Sequence, residues 1–254
     1  MHRPVASHPA QPPQYDAPPF PMQHHAPLLY HAAAPMPPPP PLGIPVRRAW
    51  AGNLPSELRF LRDFSRNARH VAVTVHYPGV VHGAGAVGQH HNHTLMTAEE
   101  RYAAMKANVD ALKPIQLGLA VHNANGHIAA WEFNLRGFRP ASDPHAPNSV
   151  EYLERRGLSF RDHQAHGIEP SRLAAGLNSC GLFRRRPGIS WATYAGVYHV
   201  AYLVKILSAG RPLPGGLGGF LDEVRRCLGE DVYDVARMAV DCGLPPGASP
   251  VLSA

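Results

Sequence analysis

A mixed α/β fold is what this chain of 254 residues predicts, and three features predict it. The run VAVTVHYPGVV (residues 71–81) alternates apolar and other residues, Val71, Val73, Val75 and Tyr77 on one face and Ala72, Thr74 and His76 on the other, as a strand does. Two further strand-like runs, at 115–121 and 129–134, flank an Asn125-Gly126 turn and read as a β-hairpin. Segments with apolar residues at helical spacing lie between and after these runs. Three or four strands interleaved with helices make a mixed α/β domain.

The elements follow in order. Residues 1–45 hold 15 of the 28 prolines, five of them in succession from Pro37, and only Arg3 and Asp16 are charged. Proline lacks the amide donor and blocks helix and strand alike, so a disordered or polyproline II tail is expected. His2, His8, His24, His25 and His31 are scattered among these prolines, a low-complexity pattern rather than a ligand set. Order is expected from about Val46. Asn53 can cap a helix carrying Leu54, Leu58, Leu61 and Phe64 at helical spacing, with Pro55 tolerated in its first turn. The strand follows and ends at Pro78-Gly79. Residues 82–93, HGAGAVGQHHNH, read as a solvated glycine-rich loop, since His90 and His93 have no carboxylate or cysteine beside them. A helix is expected over 97–113, leading into the hairpin.

Asn148 and Glu151 have capping-box spacing ahead of a helix that Gly157 ends. Short helices are expected at 159–166 and 170–177, then a strand at 189–194. Residues 197–208 read as an amphipathic helix with Val200, Leu203, Val204 and Leu207 on one face and Gly210 past its end. A loop over 211–219, helices over 220–228 and 234–240, and a short tail over 244–254 complete the reading. The folded domain is therefore 46–243.

Composition bounds the setting. A hydrophobic share of 44% can supply a core, and the net charge of +6 suits an acidic partner such as RNA without identifying one. Cys180, Cys227 and Cys242 show no CxxC spacing, which argues against a disulfide framework and for a reducing compartment. No apolar run approaches the roughly 18 residues that span a bilayer, and the N-terminus lacks a signal-peptide pattern. An intracellular soluble protein is the expectation.

Several phrases together carry a resemblance. VRRAWAGNL (46–54), VAVTVHYPGVV (71–81), NVDALKPIQLGL (108–119), WEFN (131–134) and DPHAPNSVEYLERRGLSF (143–160) stand in a characteristic order. WATYAG (191–196), YLVKIL (202–207), GRPLP (210–214) and VYDVARM (232–238) continue it. From about residue 46 to 243 the chain resembles the Caf/Pop-type poly(A) deadenylases, the exonuclease subunit of the Ccr–Not complex. The resemblance implies an RNase H-like exonuclease fold of the four-carboxylate (DEDD) type, a mixed sheet flanked by helices, here incomplete at its C-terminal end.

That family resembles two-metal phosphodiesterases, in which four carboxylates hold two divalent ions such as Mg²⁺. Hard ions of this kind take oxygen ligands, preferably anionic. The resemblance places the family's Asp-x-Glu motif on Thr74 and His76, and its next aspartate on His199. The last aspartate and its histidine belong to a segment beyond VYDVARM that this sequence does not contain. Asp234 matches a family aspartate that is not a metal ligand. No catalytic residue is therefore expected to be intact, and no cofactor is expected. His76 and His199, facing each other in the old cleft with Thr74 beside them, are weak candidates for a zinc-like metal because imidazole suits such metals.

The resemblance implies a deadenylase-like Ccr–Not subunit without nuclease activity, partnered by the complex's scaffold subunit and an associated deadenylase in nucleus and cytoplasm. Two alternatives stay open: an active poly(A)-specific 3′–5′ exoribonuclease, and poly(A) RNA binding without cleavage. For the latter, a cleft stripped of carboxylates attracts phosphate more strongly. Arg184, Arg185 and Arg186 form a basic run that could add to it or be a solvated face.

Overall fold

A computed structural model describes residues 44–83 and 96–243, and the statements below concern those residues. All but the end of the proline-rich tail, His90 and His93, and the tail at 244–254 lie outside them.

Six strands build one sheet: β1 (Val46–Ala49), β2 (Ala68–His76), β3 (Gln116–Asn123), β4 (Ile128–Asn134), β5 (Ser190–Thr193) and β6 (Val232–Asp234). Their order across the sheet is β1-β4-β3-β2-β5-β6. The central β2, β3 and β4 run antiparallel, while β1 joins β4, β5 joins β2 and β6 joins β5 in parallel. The expected hairpin is present, with Leu117 opposite Phe133 and Leu119 opposite Trp131, and its turn uses Gly126 at φ +78°, where glycine avoids a side-chain penalty. β1 and β6 are strands that sequence reading misses. At four and three residues they are too short to display a period of two.

Eight α-helices are interspersed with the strands: α1 (Leu54–Phe64), α2 (Ala98–Ala111), α3 (Pro147–Arg155), α4 (Phe160–His166), α5 (Pro170–Ser179), α6 (Val197–Leu207), α7 (Leu217–Leu228) and α8 (Val235–Asp241). Odd-numbered residues of the central strands face a helical layer. Val71, Val73, Val75, Leu117, Leu119, Val121, Trp131 and Phe133 are all buried there, against residues of α1, α2, α5, α6 and α7. Each such side chain withdrawn from water contributes roughly 1.5–3 kcal/mol before the entropic cost of ordering it.

Several local expectations need correction. α6 is not amphipathic through its second half: Ala201, Tyr202, Leu203, Val204, Lys205, Ile206 and Leu207 are all buried, because α2, α5, α7 and β2 surround it. Lys205 is tolerated there because its ammonium donates to the carbonyls of Val109 (2.5 Å), Asp110 (3.1 Å) and Leu112 (3.0 Å), the unsatisfied C-terminal end of α2. Asn53 holds the N-cap position of α1 as expected, but its side chain makes no capping bond; it instead accepts from the Trp50 N–H (2.7 Å) and donates to the Arg48 carbonyl (2.9 Å). Asn148 is inside α3 rather than ahead of it, since Pro147 already occupies the first turn and Ala146 is the cap position. α7 begins at Leu217, within the expected loop, and residue 234 ends a strand before α8 starts.

Candidate functional site

β3 pairs with β2 along its length, but β5 reaches only His70, Val71 and Ala72. Beyond Ala72 the second edge of β2 has no strand beside it. β5 stops at Thr193 and the chain reverses through Tyr194, Ala195 and Gly196 into α6. This reversal is tight. Ala195 sits at φ +49°, and a Cβ on Gly196 would stand 2.0 Å from Thr193 Oγ1. Asp234 holds the turn: its carboxylate accepts the N–H groups of Ala195 and Gly196 at 2.9 Å, and that of Ala236 at 3.0 Å. Burial works to raise this carboxyl group, but the main-chain donors outweigh it and hold it below the usual carboxylate range.

The first turn of α6 thereby lands beside the uncovered edge of β2, and His199 fills the gap. Its Nδ1 accepts the Val75 N–H at 3.1 Å, in the place of a strand carbonyl. A ring nitrogen accepts an N–H only when it carries no proton, so His199 is a neutral imidazole with its hydrogen on Nε2. Burial, with a further contribution from the His76 ring, holds it below the ordinary histidine value. His199 thus contacts the main chain of the residue between Thr74 and His76.

Thr74 and His76 lie on the sheet face away from the helical layer. Thr74 is exposed, and its methyl leans over Gly118, where a Cβ would approach it to 2.5 Å. His76 is half-buried, and its Nδ1 has no hydrogen-bond partner among the described residues. Burial lowers its proton affinity; Glu132 opposes this, while Arg156 and His163 add to it. The site is flanked by stacked tyrosines, with Tyr77 4.8 Å from Tyr202 and 5.4 Å from Tyr198, centroid to centroid.

These residues do not fit a pair of divalent ions. They offer one hydroxyl and two neutral rings where two hard cations need several anionic oxygens. A zinc-like ion fares no better. The Nδ1 lone pair of His199 is committed to Val75, its Nε2 bears the hydrogen, and the described residues contain no group of three His, Cys, Asp or Glu able to hold a metal.

One carboxylate near the site escapes motif reading. Glu132 of WEFN lies opposite Gly118, which lies opposite Thr74, two strand spacings or roughly 10 Å away. It is engaged by Arg48 at 3.5 Å and by the Gln116 amide. Period-2 alternation plus the hairpin register would have found it. The basic run, by contrast, is largely tied down: Arg186 donates to the Ser65 and Arg66 carbonyls, and Arg184 to that of Asn178. A cavity of about 530 Å³ lined by Lys113, Arg136, Arg139, Asp143 and Glu169 includes none of the three site positions.

Comparison with known proteins agrees with this geometry. Residues 50–170 match the family described as CAF1 family ribonuclease. The Arabidopsis thaliana protein named probable CCR4-associated factor 1 homolog 7 is 31% identical over 208 residues, covering 78% of this chain and 72% of the relative. Poly(A) ribonuclease pop2 of Schizosaccharomyces pombe is 33% identical over 174 residues, although the chain spans only 49% of its length. Among solved structures, S. pombe Pop2p in its Mg²⁺- and Mn²⁺-bound form superposes with a TM-score of 0.67 at 30% identity, covering 78% of this chain and 76% of that one. A structure of the yeast NOT1 MIF4G domain co-crystallized with CAF1 contains a match at 26% identity and a TM-score of 0.61, over 84% of each chain. With a relative 31% identical over most of its length and a fold shared with Pop2p, this chain belongs to the CAF1 family of ribonucleases.

Proposed function

We propose that this chain is a non-catalytic CAF1-family subunit of the Ccr–Not machinery, which binds a NOT1-type scaffold and an associated deadenylase but does not hydrolyse RNA. It would work where mRNA decay does, in nucleus and cytoplasm. The observation that carries the reading is the His199–Val75 hydrogen bond. It turns a position that should hold a metal into part of the fold, beside a neutral Thr74 and a neutral His76. The framework around it is retained, and a relative of that framework is seen with a NOT1 MIF4G domain.

Two measurements on the full chain test this. Purified protein incubated with a NOT1 MIF4G domain should co-elute with it, and failure to associate at micromolar concentrations would remove the scaffold role. End-labelled oligo(A) with Mg²⁺ or Mn²⁺ should stay at full length. Salt-sensitive retention of that oligo(A) without shortening would instead favour RNA binding without cleavage.

A further inference from the structure

The sheet face that carries Thr74 and His76 also holds a histidine pair that the proposed function does not use. His70 on β2 stands directly opposite His122 on β3, four and six residues from the two site positions, or at least about 13 Å along the strand. Their Nδ1 atoms are 3.0 Å apart, the ring centroids 5.3 Å apart, and the rings 15° from parallel. His70 is exposed and His122 half-buried, so solvent and ions reach both.

Such a contact requires one Nδ1 to donate and the other to accept. The same spacing suits a metal. With metal–imidazole bonds of about 2.0–2.1 Å, nitrogens 3.0 Å apart subtend about 94° at the ion, whereas a tetrahedral centre needs about 3.3 Å. An angle near 90° is that of neighbouring positions in octahedral or square-planar coordination, the preference of Ni²⁺ and Cu²⁺ rather than Zn²⁺. In the present contact the ring axes run along the nitrogen–nitrogen line, so each ring turns by about 43° about its broad terminal torsion to aim its lone pair at one ion, on Cβ atoms fixed by the paired strands. We propose that His70 and His122 form a bidentate site for a late first-row divalent transition metal, held through the two Nδ1 atoms. A neutral donor ring moves its proton from Nδ1 to Nε2 through solvent, which frees its Nδ1 lone pair for the ion. Among the described residues no third His, Cys, Asp or Glu joins the pair, and water or an external ligand completes the coordination.

Ni²⁺ is the probe. A metal that binds across β2 and β3 binds only the folded chain and raises its melting midpoint, which binding equally to the folded and unfolded chain does not do. Saturating Ni²⁺ should raise the midpoint of the full chain by about 3 °C. His70→Gln and His122→Gln should each abolish the rise and remove one bound Ni²⁺ by calorimetric titration, while His127→Gln in the adjoining turn should change neither. Circular dichroism of each metal-free variant checks that it folds. No rise in the parent, an equal rise in all variants, or an equal or larger rise with Zn²⁺ would overturn the proposal.

Discussion

The imidazole of His199 accepts the main-chain N–H of Val75 at 3.1 Å, where β5 no longer reaches β2. One side chain thus acts on two levels. It brings a neutral ring to the cleft, and that ring's lone pair seals an open strand edge.

Removing the acceptor should therefore cost stability. Val75 is buried, and His199→Leu would leave its N–H without a partner. A loss of about 1–3 kcal/mol is expected in urea unfolding of the full chain. His199→Leu with an unchanged midpoint would show that the bond contributes nothing.

If the framework survives and only the ligands are lost, restoring them should restore metal binding. The variant Thr74→Asp/His76→Glu/His199→Asp gathers three carboxylates and should be less stable than the parent without metal, through like-charge repulsion. Millimolar Mn²⁺ should raise its melting midpoint by several degrees while leaving the corresponding positions of the parent without effect.

Acid sensitivity should begin at mild pH. Burial lowers the proton affinity of His76, His163 and His199 in the folded chain. As pH falls through about 6.5, the unfolded chain takes up protons that the folded chain refuses, so their stabilising effect, full above that value, is progressively lost. Each group that stays neutral in the fold removes at most about 1.4 kcal/mol per pH unit. Denaturant midpoints between pH 7.5 and 5 should fall, above the range where Asp143 and Asp234 lose charge. A flat profile would contradict the assignment of three neutral histidines that are at least half-buried.

Lys205 offers a second structural test, away from the cleft. Its ammonium satisfies three carbonyls at the end of α2. Lys205→Met keeps the aliphatic stem but abandons those acceptors, and should cost about 2–3 kcal/mol. Scaffold binding should persist in conditions where the variant remains folded.

Much of this architecture was legible in the residues. The alternation of Val71, Val73 and Val75 gave β2 and its buried face, and Asn125-Gly126 gave the hairpin. β1 and β6 were not legible because VRRA and VYD are parallel edge strands defined by their neighbours, not by a period of their own. α6 was misjudged because surrounding helices bury the face on which Lys205 lies. Nothing in the spacing of 74, 76 and 199 brings those positions together; the family resemblance did so. The Val75 contact was beyond either route, since it depends on β5 stopping three residues short of it.

The account rests on the loss of hydrolysis, and labelled oligo(A) tests that most directly. The full chain, incubated with the RNA and Mg²⁺ or Mn²⁺ beside an active CAF1-family nuclease, should leave the substrate at its starting length. Stepwise 3′ shortening by the parent that disappears in Thr74→Ala or His199→Ala protein would contradict the account.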